Sequence, residues 1–569
     1  MAMVSGQSHW LPDDEGVALR ETTLGHLLSE QARRVPDRPA IIFDEPDADL
    51  QVNWTYADLD RHVDQLSKAL IAIGVKPADR VAVLSPNRPE WVLFEYALAR
   101  IGAILVTVNP AFRKLELDYL LTQGRISVLV SVGEFRGFDL AGMLSEMIPD
   151  LVSAIDGERK GGDAYLDLRR VIALGRTPII GALSFADLLK KAATVSDAVL
   201  ADRAARVTPD DVVQIQYTSG TTGNPKGAML THRGTVNNAL LATARAGYRE
   251  TDVMVSAMPF FHTAGCVCNV MGMVAVGGCL VPLSGFDAAT MLDLMERYRG
   301  TLTNGVPTMY IRLLQDPKFV AGERDISSYR IAYIGGTSIP PSLMVEVKEK
   351  MGADPCLIMG MTECSPIITQ TVPTDPLEKK VATAGVPLPH TEVRVVDPDT
   401  SAIVPTGREG ELQIRGYLVM AGYFEMPEKT AETIDPDGWL KSGDLAVLDE
   451  GGYLRIVGRI KDMLIRGGEN IYPVEIEEAL LNHPDIAEAQ VVGVPDDEYG
   501  EEIFAFVVPR DGRTIDTDAV RAWCRSNMAR HKLPRYLAAI EAMPQTANGK
   551  VRKVELRQKA ADIIKAGTA

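Results

Sequence analysis

"YTSGTTGNPKGAMLTH", Tyr217 to His232, crowds Thr, Ser and Gly around a single lysine, Lys226. The stretch before it, Val212 to Tyr217, alternates apolar and polar side chains, which predicts a half-buried strand with the loop hanging from its end. A segment of this kind can turn backbone N–H groups and hydroxyls toward one point, and that suits the oxygens of a phosphate chain. Thr218, Ser219, Gly220, Thr221, Thr222 and Gly223 supply those groups, and Lys226 the positive charge. A Walker A loop, G-x-x-x-x-G-K-[ST], fits badly. Counted from Gly220 the lysine falls in place, but Pro225 stands where the second glycine belongs and Gly227 where the Mg²⁺-binding hydroxyl belongs. Proline donates no N–H, so that cradle cannot close and the loop is a phosphate binder of another kind. A flexible surface linker has the same composition and is the plain alternative.

Outward from the loop, strand and helix alternate. Thr55 to Asp58 reads as a capping box, followed by Leu59, Val63, Leu66 and Leu70 at helical spacing and Gly74 as a stop. Apolar runs at Arg80 to Leu84 and Ala103 to Val108 flank a helix around Trp91 to Arg100. The rhythm persists to about residue 370 and predicts an α/β fold with a mainly parallel sheet and covering helices. After Gly385 the pieces become short and β-like, at Glu392 to Val396, Gly410 to Arg415 and Tyr453 to Val457. From Gly458 onward the texture changes again: a helix opened by Pro473, strand-like runs at Ala489 to Val494 and Ile503 to Val508, and a helix from Asp518. That suffices for a small α+β domain.

The chain has 569 residues, 46% apolar and 24% charged, with a net charge of −17. It is too long for one hydrophobic core. The acidic balance argues against nucleic acid or an anionic membrane as the main partner, so an anionic substrate must be met by a few placed cations. The start, MAMVSGQSHWLPDDEG, lacks a basic head followed by an apolar run, and no segment is apolar for long enough to span a membrane. A cytoplasmic location and no integral membrane segment are expected. The six cysteines include no CxxC pair and read as reduced thiols.

Further segments follow in order: Pro259-Phe-Phe-His262, Gly335-Gly336-Thr337, Gly360-Met361-Thr362-Glu363, Gly438-Trp-Leu-Lys-Ser-Gly-Asp444, Gly458-Arg459-Ile-Lys461-Asp462, Gly467-Gly468-Glu-Asn470 and Asn548-Gly-Lys550. Together with the opening loop they resemble the motif set of the adenylate-forming superfamily, which comprises acyl- and aryl-CoA synthetases, luciferases and peptide-synthetase adenylation domains. The resemblance spans nearly the whole chain and is greatest to bacterial acyl-CoA ligases of the medium- or long-chain fatty-acid type. It implies a large N-terminal domain, residues 1–460, of stacked mixed sheets with a β-rich subdomain, and a small mobile C-terminal lid, residues 461–569, hinged at Lys461.

The same resemblance implies the chemistry. A carboxylate attacks the α-phosphorus of ATP to give an acyl-adenylate and pyrophosphate, and the thiol of coenzyme A then displaces AMP. The first step brings an anion toward a polyanion, and unit charges about 4 Å apart interact by roughly 4 kcal/mol at an effective dielectric near 20. Lys550 is expected to bridge carboxylate and α-phosphate, assisted by Lys226. Glu363 is expected to hold Mg²⁺, Asp444 the ribose hydroxyls, and Arg459 ribose or phosphate. Gly336, Thr337, Gly360, Met361 and Thr362 would approach the nucleotide, with Met359 where an adenine-stacking aromatic is usual. Swinging the lid would remove Lys550 and bring Arg466, Gly467 and Gly468 toward coenzyme A, although Arg466 reads equally as a surface arginine. The acyl pocket is placed around Phe261, His262, Thr263, Ala264, Gly265, Gly305, Val306, Pro307, Gly336 and Met361. His262 reads equally as a gate on the carboxylate or as a packed ring.

The expected partners are therefore a small carboxylic acid, ATP and coenzyme A, with assembly as a homodimer left open. A rival reading is an enzyme that loads a separate acyl-carrier protein. A luciferase-like oxygenase would share the nucleotide motifs, and a regulatory protein that had lost catalysis would be expected to lack Lys550 or Glu363.

Overall fold

The computed structural model describes residues 3–13, 16–45, 50–154, 158–159, 165–218, 225–336, 339–466, 469–496, 499–510, 512–545 and 551–566. Two large sheets form the body. The eight-stranded sheet runs Leu183–Ser184, Arg170–Leu174, Val128–Val132, Arg80–Leu84, Ile104–Val108, Val212–Thr218, Lys226–Thr231, Gly422–Tyr423. It is parallel as far as Val212–Thr218, and the last two strands pair antiparallel. The nine-stranded sheet runs Val386–Pro387, Ile367–Gln370, Asp354–Gly360, Ile331–Gly335, Leu302–Gly305, Val253–Ser256, Cys279–Pro282, Pro39–Phe43, Val52–Thr55. Its middle is parallel and its two edges antiparallel.

The capping box at the second helix forms as the sequence predicts. Asp58 N–H donates to Thr55 Oγ1 at 3.1 Å and Thr55 N–H donates back to Asp58 Oδ2 at 3.2 Å, opening Tyr56–Ala72. Leu59, Val63, Leu66 and Leu70 are fully buried along its inner face. The next helix, Pro89–Ile101, is buried on every side, including its charged residues. Two of those are paired, Arg88 with Glu90 at 2.8 Å and Arg100 with Asp60 at 2.6 Å, whereas Glu95 accepts only from Gln214 Nε2 at 2.8 Å through Oε1 and burial pushes its carboxyl well above the usual range. Buried charges survive only with such partners.

That last contact corrects the reading of Val212 to Tyr217. The strand exists, as Val212–Thr218, but it is not half-buried: Gln214 and Gln216 lie as deep as Val213 and Ile215. Helices cover both faces of the sheet, so the polar alternation meets a buried network instead of water. Gln216 Nε2 donates to Gln214 Oε1 at 2.9 Å, and Gln214 in turn to Glu95.

A five-stranded antiparallel sheet, His9–Trp10, Thr391–Val396, Glu409–Gly416, Leu440–Leu448, Leu454–Arg459, makes the β-rich subdomain. Its edge strand comes from the far N-terminus, a pairing that no local pattern predicts. The C-terminal region forms its own sheet, with Gly500–Pro509 central: antiparallel to Ile486–Asp496 and Leu464–Arg466, parallel to Tyr536–Ala539. Helices Pro473–Leu481 and Thr517–Asn527 pack on it around Ile476, Leu480, Val491 and Val520. The body is thus a large domain of mixed sheets, followed by a smaller α+β domain.

Candidate active site

The opening loop joins a hairpin. Thr218 ends one strand, Lys226 begins the next, and the two face each other in register. Thr218 Oγ1 also donates to the Lys226 carbonyl at 3.4 Å. The hairpin therefore sets Thr218 and Lys226, which flank the hydroxyl-rich segment, at the C-terminal edge of a buried strand. Ser219, Gly220, Thr221, Thr222 and Gly223 themselves lie outside the described residues.

Lys226 does not stand alone. Its Nζ donates to Tyr423 Oη at 3.1 Å and sits 4.1 Å from the centre of that ring. Tyr423 Oη donates onward to Glu363 Oε1 at 2.8 Å. Three segments distant in sequence thus join in one chain of hydrogen bonds. Gly422–Tyr423 is added to the sheet beside Lys226–Thr231, with Tyr423 opposite Ala228. Burial and the neighbouring Glu363 carboxylate push the Tyr423 phenol well above its ordinary value, so it stays a donor. Burial holds the Lys226 ammonium below the usual lysine value, opposed by Glu363 and reinforced by Lys461. Sequence reading missed Tyr423, for which only the Met-Ala-Gly-Tyr-Phe run stood as a signal.

Glu363 sits in the one-turn helix Thr362–Cys364, just after the strand Asp354–Gly360. It is buried, and its carbonyl accepts from Met420 N–H at 2.9 Å. Gly360 is required where it stands: a Cβ there would lie 2.0 Å from the Pro366 carbonyl oxygen. Met361 N–H donates to the same oxygen at 3.0 Å, so the turn that aims Glu363 is closed on itself. Met359, one step earlier, packs against the core of the β-rich subdomain. Gly336 adopts a φ of +88°, with Val306 Cγ1 3.4 Å from where a Cβ would be. Thr337 lies outside the described residues.

Asp444 and Arg459 face each other across paired strands, with Arg459 Nε donating to Asp444 Oδ1 at 2.9 Å. The carboxylate is buried and the guanidinium half-exposed, so one end of this ion pair is open to a ligand. Asp444 belongs to the same neighbourhood as Glu363: after burial itself, both carboxylates raise the thiol of Cys364.

On the other side, His262 caps the short turn Thr263–Gly265, its Nδ1 accepting from Ala264 N–H at 3.2 Å. That bond leaves Nε2 as the protonated nitrogen of the neutral ring. Gly265 admits no side chain, since a Cβ would fall 2.0 Å from the Pro259 carbonyl oxygen. The Ala264 carbonyl accepts from Asn304 Nδ2 at 3.2 Å, which ties this turn to the strand carrying Gly305. Val306 follows and precedes the helix Pro307–Leu314. Thr263, Ala264, Gly265, Gly305, Val306 and Gly336 therefore gather around the ends of adjacent strands.

The C-terminal candidates are less complete. Lys461 lies in the turn Ile460–Asp462 that follows the last body strand. Arg466 ends the strand Leu464–Arg466 and is held by Glu502, which is fully buried, at 2.9 Å, and by the His531 carbonyl at 3.0 Å. It is thus no loose surface arginine. Gly467, Gly468 and Lys550 lie outside the described residues.

Two family models match the chain: AMP-binding enzyme over residues 28–424 and AMP-binding enzyme C-terminal domain over residues 475–550. YngI of Bacillus subtilis (strain 168), provisionally named an acyl-CoA synthetase, is 42% identical over 96% of this chain and 98% of its own. The mitochondrial medium-chain acyl-CoA ligase ACSF2 of Danio rerio is 38% identical over 95% of this chain and 89% of its own. Among solved structures, the anthranilate CoA ligase AuaEII in complex with anthranoyl-AMP superimposes with a TM-score of 0.83 at 26% identity, covering 96% of this chain and 98% of that one. ATP-bound MatB from Rhodopseudomonas palustris gives 0.78 at 29% identity, covering 95% and 100%.

Proposed function

This chain belongs to the AMP-binding enzyme family, and from that membership we propose how its residues divide the work of an acyl-CoA synthetase. The reaction is ATP-dependent acid:CoA ligation through an acyl-adenylate. A carboxylate oxygen bonds to the α-phosphorus as pyrophosphate leaves; then the CoA sulfur bonds to the carbonyl carbon as AMP leaves and the thiol proton passes to solvent or base.

One observation supports our assignment of the first half most directly: the chain from Lys226 Nζ through Tyr423 Oη to Glu363 Oε1. It sets a cation and a carboxylate at the foot of the hydroxyl-rich hairpin, where a triphosphate would lie. Lys226 meets phosphate charge, the hairpin tip offers N–H and O–H donors, and Tyr423 keeps Lys226 and Glu363 at fixed separation. Asp444 accepts from the ribose hydroxyls with its burial-fixed carboxylate, and Arg459 turns its exposed side to ribose or phosphate. The residues present fit a magnesium ion, because one held with nucleotide takes one or two protein carboxylates and otherwise phosphate and water. Glu363 would hold it, and its contribution would be to neutralise phosphate charge.

We assign the C-terminal domain, from Lys461 onward, to a lid that turns between the half-reactions, with Lys550 in the first and the Gly467-Gly468 turn in the second. For the acid we favour a medium- or long-chain, branched or arylalkanoic acid, of which the medium-chain class is supported by the similarity to the medium-chain acyl-CoA ligase ACSF2. A cytoplasmic setting fits the free state of all six cysteines; among the described residues no helix is long and apolar enough to cross a membrane.

The test is pyrophosphate release across a panel of carboxylic acids, with and without CoA, with the product identified by mass. Acid-dependent release and an acyl-CoA product are expected. Transfer only to the phosphopantetheine of a carrier protein, with CoA inert, would move the assignment to the carrier-loading class.

A further inference from the structure

The helix Lys114–Gln123 reaches, through two side chains, the ends of the three strands that carry Thr218, Lys226 and Tyr423. Leu117, Leu120 and Leu121 turn to the core, which leaves Tyr119 and Gln123, one helical turn apart, half-buried on the flank. Tyr119 Oη donates to the Pro225 carbonyl at 3.0 Å. Gln123 Nε2 donates to the Phe424 carbonyl at 2.8 Å, and its Oε1 accepts from Tyr217 Oη. Each anchored residue adjoins one that the candidate site uses: Tyr217 precedes Thr218, Pro225 precedes Lys226, and Phe424 follows Tyr423.

The packing makes room for these contacts. Tyr217 stands opposite Gly227 in register, and a Cβ on Gly227 would come within 3.3 Å of its ring and 2.8 Å of Ile215 Cγ2. At the helix end, a Cβ on Gly124 would lie 2.9 Å from Tyr217 Oη and 2.7 Å from the Leu120 carbonyl oxygen. Two bare backbones thus let the phenol through to Gln123. Burial raises Tyr217 above the ordinary phenol value, so its hydroxyl keeps the proton it donates. A phenol and a carbonyl meeting at one point ask for an acceptor and a donor, and a primary amide supplies both. Phe424 N–H also donates to the Gly227 carbonyl at 2.8 Å, so backbone pairing already joins the strands. The helix adds anchors at the ends, where that pairing stops. Those ends matter because the Lys226–Tyr423 bond is 3.1 Å long, near the limit of its range, and a small shift of either strand would break it.

We propose that Gln123 and Tyr119 are positioning residues for adenylation: by holding the residues next to Thr218, Lys226 and Tyr423, they set the distance from the Lys226 ammonium to the Glu363 carboxylate and hence the seat of the triphosphate. The proposal rests on the assignment of that chain to the triphosphate and extends it to side chains that touch no substrate. Its signature is selective. AMP lacks the β- and γ-phosphates and draws little on Lys226, so its binding should not feel the loss of these anchors.

The experiment measures, on the full chain with magnesium, the Kd of ATP and of AMP, and then the two half-reactions separately. Gln123→Leu removes both amide bonds and should weaken ATP about tenfold while AMP binding stays within about twofold. Pyrophosphate release should lose at least as much in kcat/KM, with thioester formation from supplied acyl-adenylate within about twofold of wild type. Tyr217→Phe removes a single hydroxyl and carries the test should the leucine variant fail to fold; the same split is expected at about threefold, as it is for Tyr119→Phe. Combined with Gln123→Leu, Tyr217→Phe should add no further loss, since its hydroxyl has no acceptor left. Equal weakening of ATP and AMP, or equal loss in both half-reactions, would make the helix a support of the fold and overturn the proposal. Unchanged ATP binding in Gln123→Leu would overturn it too. Lys226→Ala separates this from the underlying reading: if that variant also leaves ATP binding unchanged, the triphosphate assignment itself falls, whereas an ATP defect in Lys226→Ala without one in Gln123→Leu sinks the positioning role alone.

Discussion

On the body, the groups we assign to the nucleotide are held by partners far away in sequence. Tyr423 reaches Lys226 across 197 positions and Glu363 across 60. In the C-terminal domain the ion pairs close inside the domain itself: Arg466 with Glu502, Lys532 with Glu475, Arg535 with Asp496 and Lys553 with Glu477. The body therefore fixes its charges by burying them between sheets, where movement would cost the whole packing. A domain that satisfies its own charges can turn as a unit without breaking ion pairs. This contrast is the physical ground for assigning a fixed cation, Lys226, to one side of the site and a delivered one, Lys550, to the other.

The largest effect should come from removing the delivered cation. Lys550→Ala is expected to lower pyrophosphate release by about a thousandfold, roughly 4 kcal/mol, while thioester formation from supplied acyl-adenylate stays within about tenfold of wild type. Rapid-quench measurement of the two halves separates them. Equal loss in both would mean that the two faces do not divide the reaction.

Acid separates the two regions by sign. His232 opens the helix that follows the hairpin and is buried, with Nδ1 accepting from Leu24 N–H at 3.1 Å. Burial pushes its pKa down to about 4 from 6.5, with Asp211 opposing. The unfolded chain binds the proton first, so this contribution is complete above pH 6.5 and is lost as pH falls toward 4. The total is roughly 3 kcal/mol at about 1.4 per unit. In the C-terminal domain burial raises Glu478 and Glu488 above the usual carboxylate range, and such groups bind protons more readily folded than unfolded. Acidification from pH 7 to 5 should therefore lower hydrogen-exchange protection around His232 more than in Ile486–Asp496. His232→Asn should flatten the pH slope of the body alone. Equal acid sensitivity in both regions, unchanged by the substitution, would remove the contrast.

The same contrast explains what the sequence disclosed. Where one local segment determines the outcome, as in the Thr55–Asp58 capping box or the strand Arg80–Leu84, reading and structure coincide. Gln214 and Gln216 misled because alternation carries no information on what covers the second face of a sheet. Tyr423 was invisible because its role arises only when Gly422–Tyr423 is laid beside Lys226–Thr231. The motif residues Glu363, Asp444 and Arg459 were legible as a set, but the pairing of the last two came from strand register.

Tyr423→Phe tests whether the body's preorganisation matters on its own. The ring and its stacking on Lys226 remain, while the link between Lys226 and Glu363 is cut. Adenylation should fall by about tenfold, near the worth of one charge-assisted hydrogen bond, with thioester formation unaffected. The alkaline limb of pyrophosphate release should also move. Lys226 loses its proton at lower pH than an ordinary lysine, and changing its surroundings shifts that limb without touching the acid side. An unchanged rate and profile would reduce Tyr423 to packing.

The smallest effect is expected where the two regions touch. Tyr472 belongs to the C-terminal domain, yet its ring joins Leu445 and Val457 of the body in one apolar cluster. Gly458 leaves room for it, since a Cβ there would stand 3.3 Å from the ring. Its hydroxyl donates to Glu409 Oε1 at 3.3 Å, a long bond on a rim. An aromatic seated on a glycine adds apolar contact to one orientation of the two regions. Tyr472→Ala should therefore leave both half-reactions competent but change the ratio of their rates by about threefold, under 1 kcal/mol, since it weakens only one of the two orientations. Tyr472→Phe keeps the ring and should change the ratio less. If alanine slows both halves by the same factor, Tyr472 supports the fold and does not bias the turn of the lid.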